Sequence, residues 1–526
     1  MSGRVLALLF LLAVAPVHAD DAARATCEML KTADLATVVD APTRVSEAMY
    51  VDASDADPAA CLVRGYVAPQ VGFEMKFPIA NWNGKLIELG SGGMAGTTQG
   101  GAEKPWCDLL VREGYACIHS DFGHTSGVGD KSMALLDGVW AYNNPQAEID
   151  YAYRAEHVVK LAESAIARKF YGASEQKAYF LGCSGGGRQA VLAAQRFPWD
   201  FDGIVAMEPA INLSGAFMSF LYDWRALTDA EGKPLFTVAE LTMMRDKAIE
   251  QCDRDDGVAD GVIGAPLQCK FDPSVLQCAG DKSDQCLSPT QVAAAKKVYA
   301  GVQTSKGVKL HPGHPMPGAE LGSFGFQVTR PLAQLSLFDF FRYLAFVPDA
   351  GPTFKPGDFD FDHDAARLSV MEQLYAATNP DLRAFKQNGG KLIIVQGWDD
   401  SGTPFPLNTI DYYENVEKVM GGEKATQEFA RLFMVPGREH CGGGPGASAI
   451  DVVSALANWT EKGQAPDIVT SWHLNQVASP IEYVHRPDPA NVKFSRPLYP
   501  YPLQAKYKGH GDPNDAASFK PVKVRK

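Results

Sequence analysis

The sequence predicts an α/β fold with a mostly parallel sheet, covered by helices on both faces and interrupted by one large insertion. Short apolar segments at residues 84–90, 177–181 and 202–207 alternate with longer segments of helical spacing. This alternation is typical of parallel sheets whose strands are joined by helical crossovers. It stops near residue 210 and resumes near residue 390. We therefore expect one core built from two separate stretches of chain, with a lid between them.

The length and the first residues of the chain suggest its domain limits. The 526 residues exceed the usual size of a single domain. Residues 1–19 combine one basic residue, an apolar run and a small-residue site ending at Ala19, which is the pattern of an export signal peptide. An apolar run of about ten residues is too short to span a bilayer. We expect residues 20–209 and 390–526 to form the core domain and residues 210–389 to form the lid. The mature protein is expected to be periplasmic or extracellular.

Charge and cysteine content narrow the class of protein. The 62 acidic and 49 basic residues give a net charge of −13, which disfavours a nucleic-acid surface or a polybasic membrane patch. Ten cysteines form an even set, and in an exported chain such a set predicts disulfides. A thiolate metal site is the weaker alternative because no C-x-x-C pair occurs. Eight cysteines are close neighbours in sequence, namely Cys27 with Cys61, Cys107 with Cys117, Cys252 with Cys269, and Cys278 with Cys286.

A nucleophile elbow is predicted at residues 182–186, which read Gly-Cys-Ser-Gly-Gly. The motif follows a short apolar strand and precedes a run of helix-forming residues. In that setting Gly-x-Ser-x-Gly presents a serine on a strained turn that leaves no room for neighbouring side chains. The alternative is a glycine-rich turn with an ordinary serine. The flanking segments favour the elbow, so Ser184 is the predicted nucleophile of an α/β-hydrolase fold.

On that fold the acid and the base follow the serine in chain order, each beyond the carboxyl end of a strand. Asp399 and Asp400 both follow the apolar segment that ends at residue 396, and we favour Asp400 while Asp399 remains the alternative. His440 follows the next buried segment in a glycine-rich loop and is the predicted base. The two remaining cysteines, Cys183 and Cys441, directly adjoin Ser184 and His440. A hydrogen-bonded serine and histidine would bring them within disulfide reach.

A second glycine-rich loop follows residue 90. Gly90-x-Gly92-x-x-Ala95 could pass for a dinucleotide-binding fingerprint. However, no helix is expected directly after it, and exported proteins seldom carry nicotinamide cofactors. We favour an oxyanion hole, in which the N–H of Gly185 acts together with that of Gly92 or Gly93.

Acidic residues are concentrated in the predicted lid. Asp253, Asp255, Asp256 and Asp260 lie within eight positions, close to glycines. Oxygen ligands at such short spacing suit Ca²⁺, although the spacing is not that of an EF-hand, in which Val258 would have to be glycine. The alternative is a solvated acidic loop. We expect a structural calcium ion in the lid.

The motifs together resemble the tannase/feruloyl esterase family, which also includes mono(hydroxyethyl) terephthalate hydrolase. The resemblance rests on Gly-Cys-Ser-Gly-Gly-Gly-Arg at residues 182–188, Gly-Trp-Asp-Asp at residues 397–400 and the pair His440-Cys441. It covers nearly the whole mature chain. It implies an α/β-hydrolase core with a large calcium-binding lid and a disulfide between the cysteines beside the serine and the histidine. The calcium ligands it implies are the side chains of Asp253, Asp256 and Asp260 and the carbonyl oxygens of Val258 and Val262.

The activity that the resemblance implies is hydrolysis of small esters of aromatic acids through an acyl-enzyme on Ser184. Gallate, ferulate or other hydroxycinnamate esters and terephthalate half-esters are all compatible with it. A secreted serine peptidase with the same three residues is a second class. A non-catalytic binding protein on this frame is a third, although such a protein would be expected to have lost Ser184, Asp400 or His440. The tail after Asn491 is rich in proline, tyrosine and glycine and is expected to be irregular.

Overall fold

The computed structural model describes residues 19–54, 57–94, 96–97, 103–126, 136–322, 337–400 and 405–523. Residues 1–18 of the predicted signal peptide therefore lie outside the described residues. Within the described ranges, no helix is long and apolar enough to cross a membrane.

A nine-stranded mixed sheet forms the centre of the molecule. Its strands are β1 (Thr43–Val51), β2 (Ala60–Val67), β3 (Val71–Pro78), β4 (Lys85–Gly90), β5 (Ala116–Ser120), β6 (Lys177–Cys183), β7 (Gly203–Met207), β8 (Lys391–Gly397) and β9 (Ala430–Val435). The strand order is β1-β2-β3-β5-β4-β6-β7-β8-β9. All neighbours from β5 to β9 are parallel, whereas β1, β2 and β3 add an antiparallel edge. The predicted mostly parallel sheet is confirmed.

Helices pack against both faces of this sheet. The helices of the described residues are α1 (Ala19–Met29), α2 (Glu103–Arg112), α3 (Pro145–Ile149), α4 (Ala155–Tyr171), α5 (Gly185–Arg196), α6 (Leu213–Leu227), α7 (Val238–Cys252), α8 (Pro289–Ala300), α9 (Asp339–Tyr343), α10 (Asp364–Arg367), α11 (Ser369–Tyr375), α12 (Arg383–Gln387), α13 (Phe405–Met420), α14 (Glu423–Gln427) and α15 (Val452–Lys462). A π-helical turn, Asp150–Arg154, joins α3 to α4. Apart from Lys177, every residue of β6 and β7 is buried, as a strand covered on both faces requires.

Small residues let helix α5 lie close against the sheet. A Cβ atom built on Gly90 would lie 2.8 Å from the Cα of Gly186, a distance that real Cβ atoms do not tolerate. Glycine is therefore required where the first turn of α5 crosses the end of β4. This close approach brings the glycine-rich loop after β4 next to the turn between β6 and α5.

The chain leaves the main sheet after Met207 and returns at Lys391, and β7 and β8 are parallel neighbours. The described part of this insertion contributes no strand to the main sheet and consists of helices α6 to α12 and short turns. Its outer helices enclose a separate apolar cluster that includes Leu241, Leu287 and Val298. The assignment of residues 210–389 to a lid domain stays a prediction.

The prediction of an irregular tail after Asn491 is wrong. Strand β12 (Val492–Leu498) joins β10 (Ala449–Ile450) and β11 (Val469–Leu474) in a second sheet, and β13 (Leu503–Tyr507) pairs with β14 (Phe519–Lys523). The prolines of these strands do not prevent pairing because β12 and β14 are edge strands, where a missing N–H is tolerated.

Candidate active site

Ser184 occupies the sharp turn between β6 and α5. Its φ of 62° and ψ of −117° are a strained combination for a residue with a side chain. The end of β7 and the segment after it hold the serine in place, because its N–H donates to the carbonyl of Met207 at 2.9 Å and its carbonyl accepts from the N–H of Ala210 at 3.1 Å. The serine is half-buried. The turn thus presents its hydroxyl at the carboxyl end of the parallel strands.

His440 and Asp400 form a hydrogen-bonded pair beyond the ends of β9 and β8. Nδ1 of His440 lies 2.9 Å from Oδ1 of Asp400. Since a carboxylate only accepts, Nδ1 carries the proton and Nε2 is left to accept one. Asp400 is buried, and its second oxygen accepts from Nε2 of Gln396 at 2.8 Å. Gln396 is itself held by the hydroxyl of Thr409 at 2.9 Å.

Asp399, the alternative acid, has a different partner. Its Oδ1 accepts from the N–H of Gly437 at 3.2 Å, which closes the start of the loop that carries His440. Burial, together with the charges of Glu439 and Glu320, raises the pKa of Asp399 to about 7. Of the two adjacent carboxyl groups, the structure therefore places Asp400 against the histidine and Asp399 against the backbone.

A disulfide ties the serine turn to the histidine loop. Cys183 and Cys441 are bonded, with their Cα atoms 5.9 Å apart and a sequence separation of 258. Because each cysteine directly adjoins Ser184 or His440, this bond holds the two candidate catalytic residues next to each other. The other four disulfides join the pairs that are close in sequence: Cys27–Cys61, Cys107–Cys117, Cys252–Cys269 and Cys278–Cys286.

A buried ion pair beneath this disulfide was not anticipated from the sequence. Nε of Arg438 lies 2.7 Å from Oε1 of Glu208, and both side chains are completely inaccessible to solvent. The same Glu208 oxygen accepts from the N–H of Gly397 at 3.2 Å. Each residue follows a buried strand closely, and a charge in that position is the sequence signal that could have pointed to them. Their pairing depends on the strand order, which the sequence did not reveal.

The imidazole of His440 is packed against protein on one side and open on the other. It stacks on Phe405, with ring centroids 5.4 Å apart, and 38% of its side chain remains exposed. Burial by itself lowers the pKa of His440, but the charge of Asp400, the hydrogen bond to it and the charge of Glu208 more than offset that effect. The pKa of His440 is therefore raised above its ordinary value, as suits a base whose charged form must be stabilised.

Gly185 lies in backbone contact with the loop that carries the other two candidate oxyanion residues, Gly92 and Gly93. A Cβ built on Gly185 would lie 2.6 Å from the carbonyl oxygen and 3.1 Å from the nitrogen of Gly93. As the first residue of α5, Gly185 has no intrahelical acceptor for its N–H. Within the described ranges, the N–H groups of Gly92 and Gly93 also have no acceptor. The structure thus brings backbone donors from two segments together beside Ser184.

The acidic loop of the insertion folds around its own carboxylates. Oδ1 of Asp253 accepts from the N–H groups of Asp260, Gly261 and Val262 at 3.1–3.2 Å. Asp256 accepts from the N–H of Val258 at 3.0 Å, and Oδ2 of Asp260 accepts from Arg496 at 2.6 Å. Burial raises the pKa of Asp256 to about 7, and the charges of Asp260 and Asp253 add to the effect. These carboxylates are oxygen donors gathered in one short loop, and oxygen donors are the ligands that Ca²⁺ takes, so the donor set fits Ca²⁺.

A different group of potential metal ligands can be dismissed. Cys183, Glu208 and Cys441 bring ligand atoms within 4.8 Å of one another. Both sulfur atoms are bonded to each other, however, and no thiolate is present. Glu208 is in addition committed to Arg438. This cluster is a structural junction and not a metal site.

Taken together, the parallel sheet, the serine turn and the paired histidine and aspartate define an α/β-hydrolase. The family model described as "Tannase and feruloyl esterase" matches residues 59–522. A mono(2-hydroxyethyl) terephthalate hydrolase of Piscinibacter sakaiensis is 33% identical, covering 95% of this chain and 92% of its own. A probable feruloyl esterase B-2 of Aspergillus flavus is 30% identical, covering 74% of this chain and 75% of its own. The crystal structure of feruloyl esterase B from Aspergillus oryzae has a TM-score of 0.81 at 26% identity and covers 95% of this chain and 100% of that one.

These comparisons settle the family. The chain belongs to the tannase and feruloyl esterase family and is a carboxylic ester hydrolase. The resemblance drawn from residues 182–188, 397–400 and 440–441 is thereby confirmed.

Proposed function

We propose that this protein is an exported serine esterase that hydrolyses esters of aromatic acids through an acyl-enzyme. One observation carries the proposal: the His440–Asp400 pair, with 2.9 Å between Nδ1 and Oδ1, is bonded through a disulfide to the turn that bears Ser184. The relatives support the class of substrate, since one is named for a terephthalate half-ester and others are named feruloyl esterases.

The acylation step uses all three side chains. Oγ of Ser184 attacks the ester carbonyl while Nε2 of His440 accepts the hydroxyl proton. The C–O bond to the alcohol then breaks, and His440 returns the proton to the departing oxygen. Asp400 holds the imidazole through Nδ1 and stabilises its charged form, as the aspartate of such triads does. The product of this step is an ester between Ser184 and the aromatic acid.

Deacylation repeats the sequence with water. His440 accepts a proton from a water molecule that attacks the acyl-enzyme, and it then protonates Oγ of Ser184 as that bond breaks. In both steps the negative charge on the former carbonyl oxygen would be stabilised by the N–H of Gly185 together with that of Gly92 or Gly93. A donor of this kind contributes about 2.7–4 kcal/mol to transition-state stabilisation.

The direct test is the Ser184→Ala variant assayed on methyl gallate, methyl ferulate, chlorogenate and mono(2-hydroxyethyl) terephthalate. We expect the wild-type protein to cleave at least one of them and the variant to lose about 10³-fold or more of kcat. Peptide anilides serve as the contrasting substrates. Cleavage of anilides in preference to esters would favour the peptidase alternative, and full activity of Ser184→Ala would refute the mechanism.

We further propose that the acidic loop holds a structural calcium ion. Asp253, Asp256 and Asp260 would supply side-chain oxygens, and Val258 and Val262 would supply carbonyl oxygens. When bound, the ion would stabilise the charged form of Asp256, whose pKa is raised mainly by burial and further by the charges of Asp260 and Asp253. Its contribution would be to stability, because it lies in the insertion and not beside Ser184.

The calcium proposal is tested by thermal unfolding with and without a chelator. At free Ca²⁺ one hundred times Kd, the ion should add about 2.7 kcal/mol to stability. Asp256→Asn should remove this response and stabilise the calcium-free protein, because an uncharged side chain no longer repels Asp253 and Asp260. Asp255→Asn is the matched control, since Asp255 is exposed in the same loop and is not a proposed ligand. Equal responses of both variants would contradict the proposal.

The proposal that the protein is exported is based on the pattern of residues 1–19. The proposal of a lid is based on the insertion between β7 and β8. Expression of the full chain with its first residues should give a mature N-terminus near Asp20, which N-terminal sequencing of the secreted or periplasmic protein would establish. Retention of Met1 on the exported protein would contradict the signal peptide.

A further inference from the structure

The loop at residues 91–94, which carries two of the candidate oxyanion donors, is held by side chains to which the sequence assigned no role. We propose that Tyr151 and His124 are positioning residues, which fix this loop so that the N–H groups of Gly92 and Gly93 face the reacting carbonyl. The inference rests on the proposed serine mechanism and adds to it the residues that organise one half of the oxyanion hole.

Three contacts restrain the loop. The hydroxyl of Tyr151 donates to the carbonyl of Gly93 at 3.3 Å. Nε2 of His124 lies 2.7 Å from the carbonyl oxygen of Met94. At the start of the loop, the N–H of Ser91 donates to Oε1 of Gln189 at 3.1 Å. None of these contacts uses the N–H of Gly92 or Gly93, so the loop is held without consuming the donors that the reaction needs.

The contact of Tyr151 fixes the conformation of Gly93 itself. Gly93 has a φ of +60°. Because glycine has no Cβ, its backbone can adopt several peptide orientations unless something restrains it. Because the peptide that follows Gly93 is planar, a hydrogen bond to its carbonyl sets the angle ψ of that residue. Tyr151 is completely buried, and burial raises the pKa of its hydroxyl, so the group remains protonated and donates.

Tyr151 is in turn positioned by the helix that carries the nucleophile. The tyrosine lies in the π-helical turn Asp150–Arg154, where the regular helical hydrogen bonding is interrupted. Arg188, in the first turn of α5, donates to the carbonyl oxygens of Tyr151 at 3.0 Å and Ala152 at 3.1 Å. Its guanidinium also lies 4.6 Å from the centre of the Tyr151 ring. The turn bearing Ser184 and the hydroxyl that restrains Gly93 are therefore mechanically connected.

The ring of His124 is also held by its neighbours. Its ring stacks on Trp140 with centroids 3.7 Å apart, and only 7% of the residue is exposed. Both ring nitrogens face carbonyl oxygens, since Nδ1 lies 3.4 Å from that of Phe122. The contact from Nε2 to the carbonyl oxygen of Met94 is the shorter one, so a neutral imidazole carries its single proton on Nε2 and donates it there. Trp140 also packs against Tyr151, with centroids 5.2 Å apart, so the two positioning residues share one support.

The decisive variant is Tyr151→Phe, which removes only the hydroxyl. Loss of one positioning hydrogen bond should lower kcat on an aryl ester by about 5- to 50-fold. KM should change less than about twofold, because the substrate in its ground state does not use the oxyanion donors. Affinity for an arylboronic acid, which forms a tetrahedral adduct with serine, should fall in parallel with kcat/KM. The matched control is Tyr413→Phe. Tyr413 is also fully buried, and its hydroxyl donates to the backbone carbonyl of Ala430 at 3.0 Å, at the opposite end of the sheet.

His124 supplies a second and independent test. His124→Gln keeps an amide N–H near the position of Nε2 and should retain most of kcat, whereas His124→Met has a similar volume without a donor and should lose about as much kcat as Tyr151→Phe. Thermal unfolding of every variant confirms that the assays are made on folded protein.

The outcomes separate this inference from the mechanism on which it rests. If Ser184→Ala is inactive while Tyr151→Phe and His124→Met both keep wild-type kcat and boronic acid affinity, the positioning roles are refuted and the serine mechanism stands. If Tyr413→Phe loses as much kcat as Tyr151→Phe, the effect is a general loss of stability and the inference is again refuted. If Ser184→Ala remains fully active, the mechanism itself fails.

Discussion

Removal of the Cys183–Cys441 disulfide in a Cys183→Ser/Cys441→Ser variant probes both the stability and the geometry of the active site. The bond closes a loop of 258 residues. In the chain-entropy treatment of disulfides, a loop of that length corresponds to about 5.6 kcal/mol of stabilisation. The Cys278–Cys286 bond in the insertion closes only 8 residues and corresponds to about 2.5 kcal/mol. A Cys278→Ser/Cys286→Ser variant is therefore the control for loss of a disulfide far from the serine.

Urea unfolding and esterase kinetics of the two variants give the comparison. We expect the loss of the 183–441 bond to lower the free energy of unfolding by about 3 kcal/mol more than the control does. We also expect it to lower kcat by at least about tenfold, because the loop bearing His440 would no longer be bonded to the turn bearing Ser184. The control should leave kcat unchanged. If both variants lose equal stability and both keep wild-type kcat, the disulfide neither restrains the unfolded chain as calculated nor positions the base.

Three further experiments test buried carboxyl groups in and around the site. Asp400→Asn should lower kcat by about 10³- to 10⁴-fold, because it disturbs the tautomer of the histidine. Asp399→Asn can still accept a hydrogen bond from the backbone and should keep kcat within about fivefold. Comparable losses of kcat in the two variants would reopen the choice of acid. For Glu156, burial raises the pKa from 4.5 to about 7. The native state therefore loses stability as the pH rises from 4.5 to about 7, by up to roughly 3 kcal/mol. Glu156→Gln should remove this loss. In urea titrations the free energy of unfolding of the variant should therefore exceed that of the wild type at pH 8 but not at pH 4. Glu208→Leu should lower the free energy of unfolding by about 3–5 kcal/mol because it leaves the Arg438 charge buried and unpaired, and adding Arg438→Met should restore most of it; failure of the second change to restore stability would contradict this account.

The parts of the fold that were predictable depend on local signals. The central strands are short, almost wholly buried apolar segments, and the turn at Ser184 needs small neighbours whatever surrounds it. Both features are therefore visible in a few consecutive residues. The strands of the C-terminal tail were missed because their prolines are acceptable only on an edge, and the sequence does not reveal which strand lies at an edge.

The supporting residues of the site were less predictable because their partners are distant in sequence. Tyr151 occupies an apolar position of a helical repeat, and nothing in that spacing distinguishes a core tyrosine from one that contacts Gly93, 58 residues away. Glu208 was visible as a charge at the end of a buried strand, but its partner Arg438 lies 230 residues away. Only the order of β7, β8 and β9 in the sheet brings them together.

Contacts of Glu208 explain why the site keeps its shape although Ser184, Asp400 and His440 come from separate parts of the chain. Its backbone N–H donates to the carbonyl of Val395 in β8 at 2.8 Å, and its carboxylate binds Arg438, two residues before His440. The preceding residue, Met207, accepts the N–H of Ser184. The segments that carry the serine, the acid and the base therefore all meet at residues 207–208, and the disulfide closes the junction between serine and base. Apart from the N–H of Ala210, which donates to the carbonyl of Ser184, these contacts do not involve residues 210–389. We therefore expect substitutions in the proposed lid beyond Ala210 to change the preferred ester without displacing the catalytic groups.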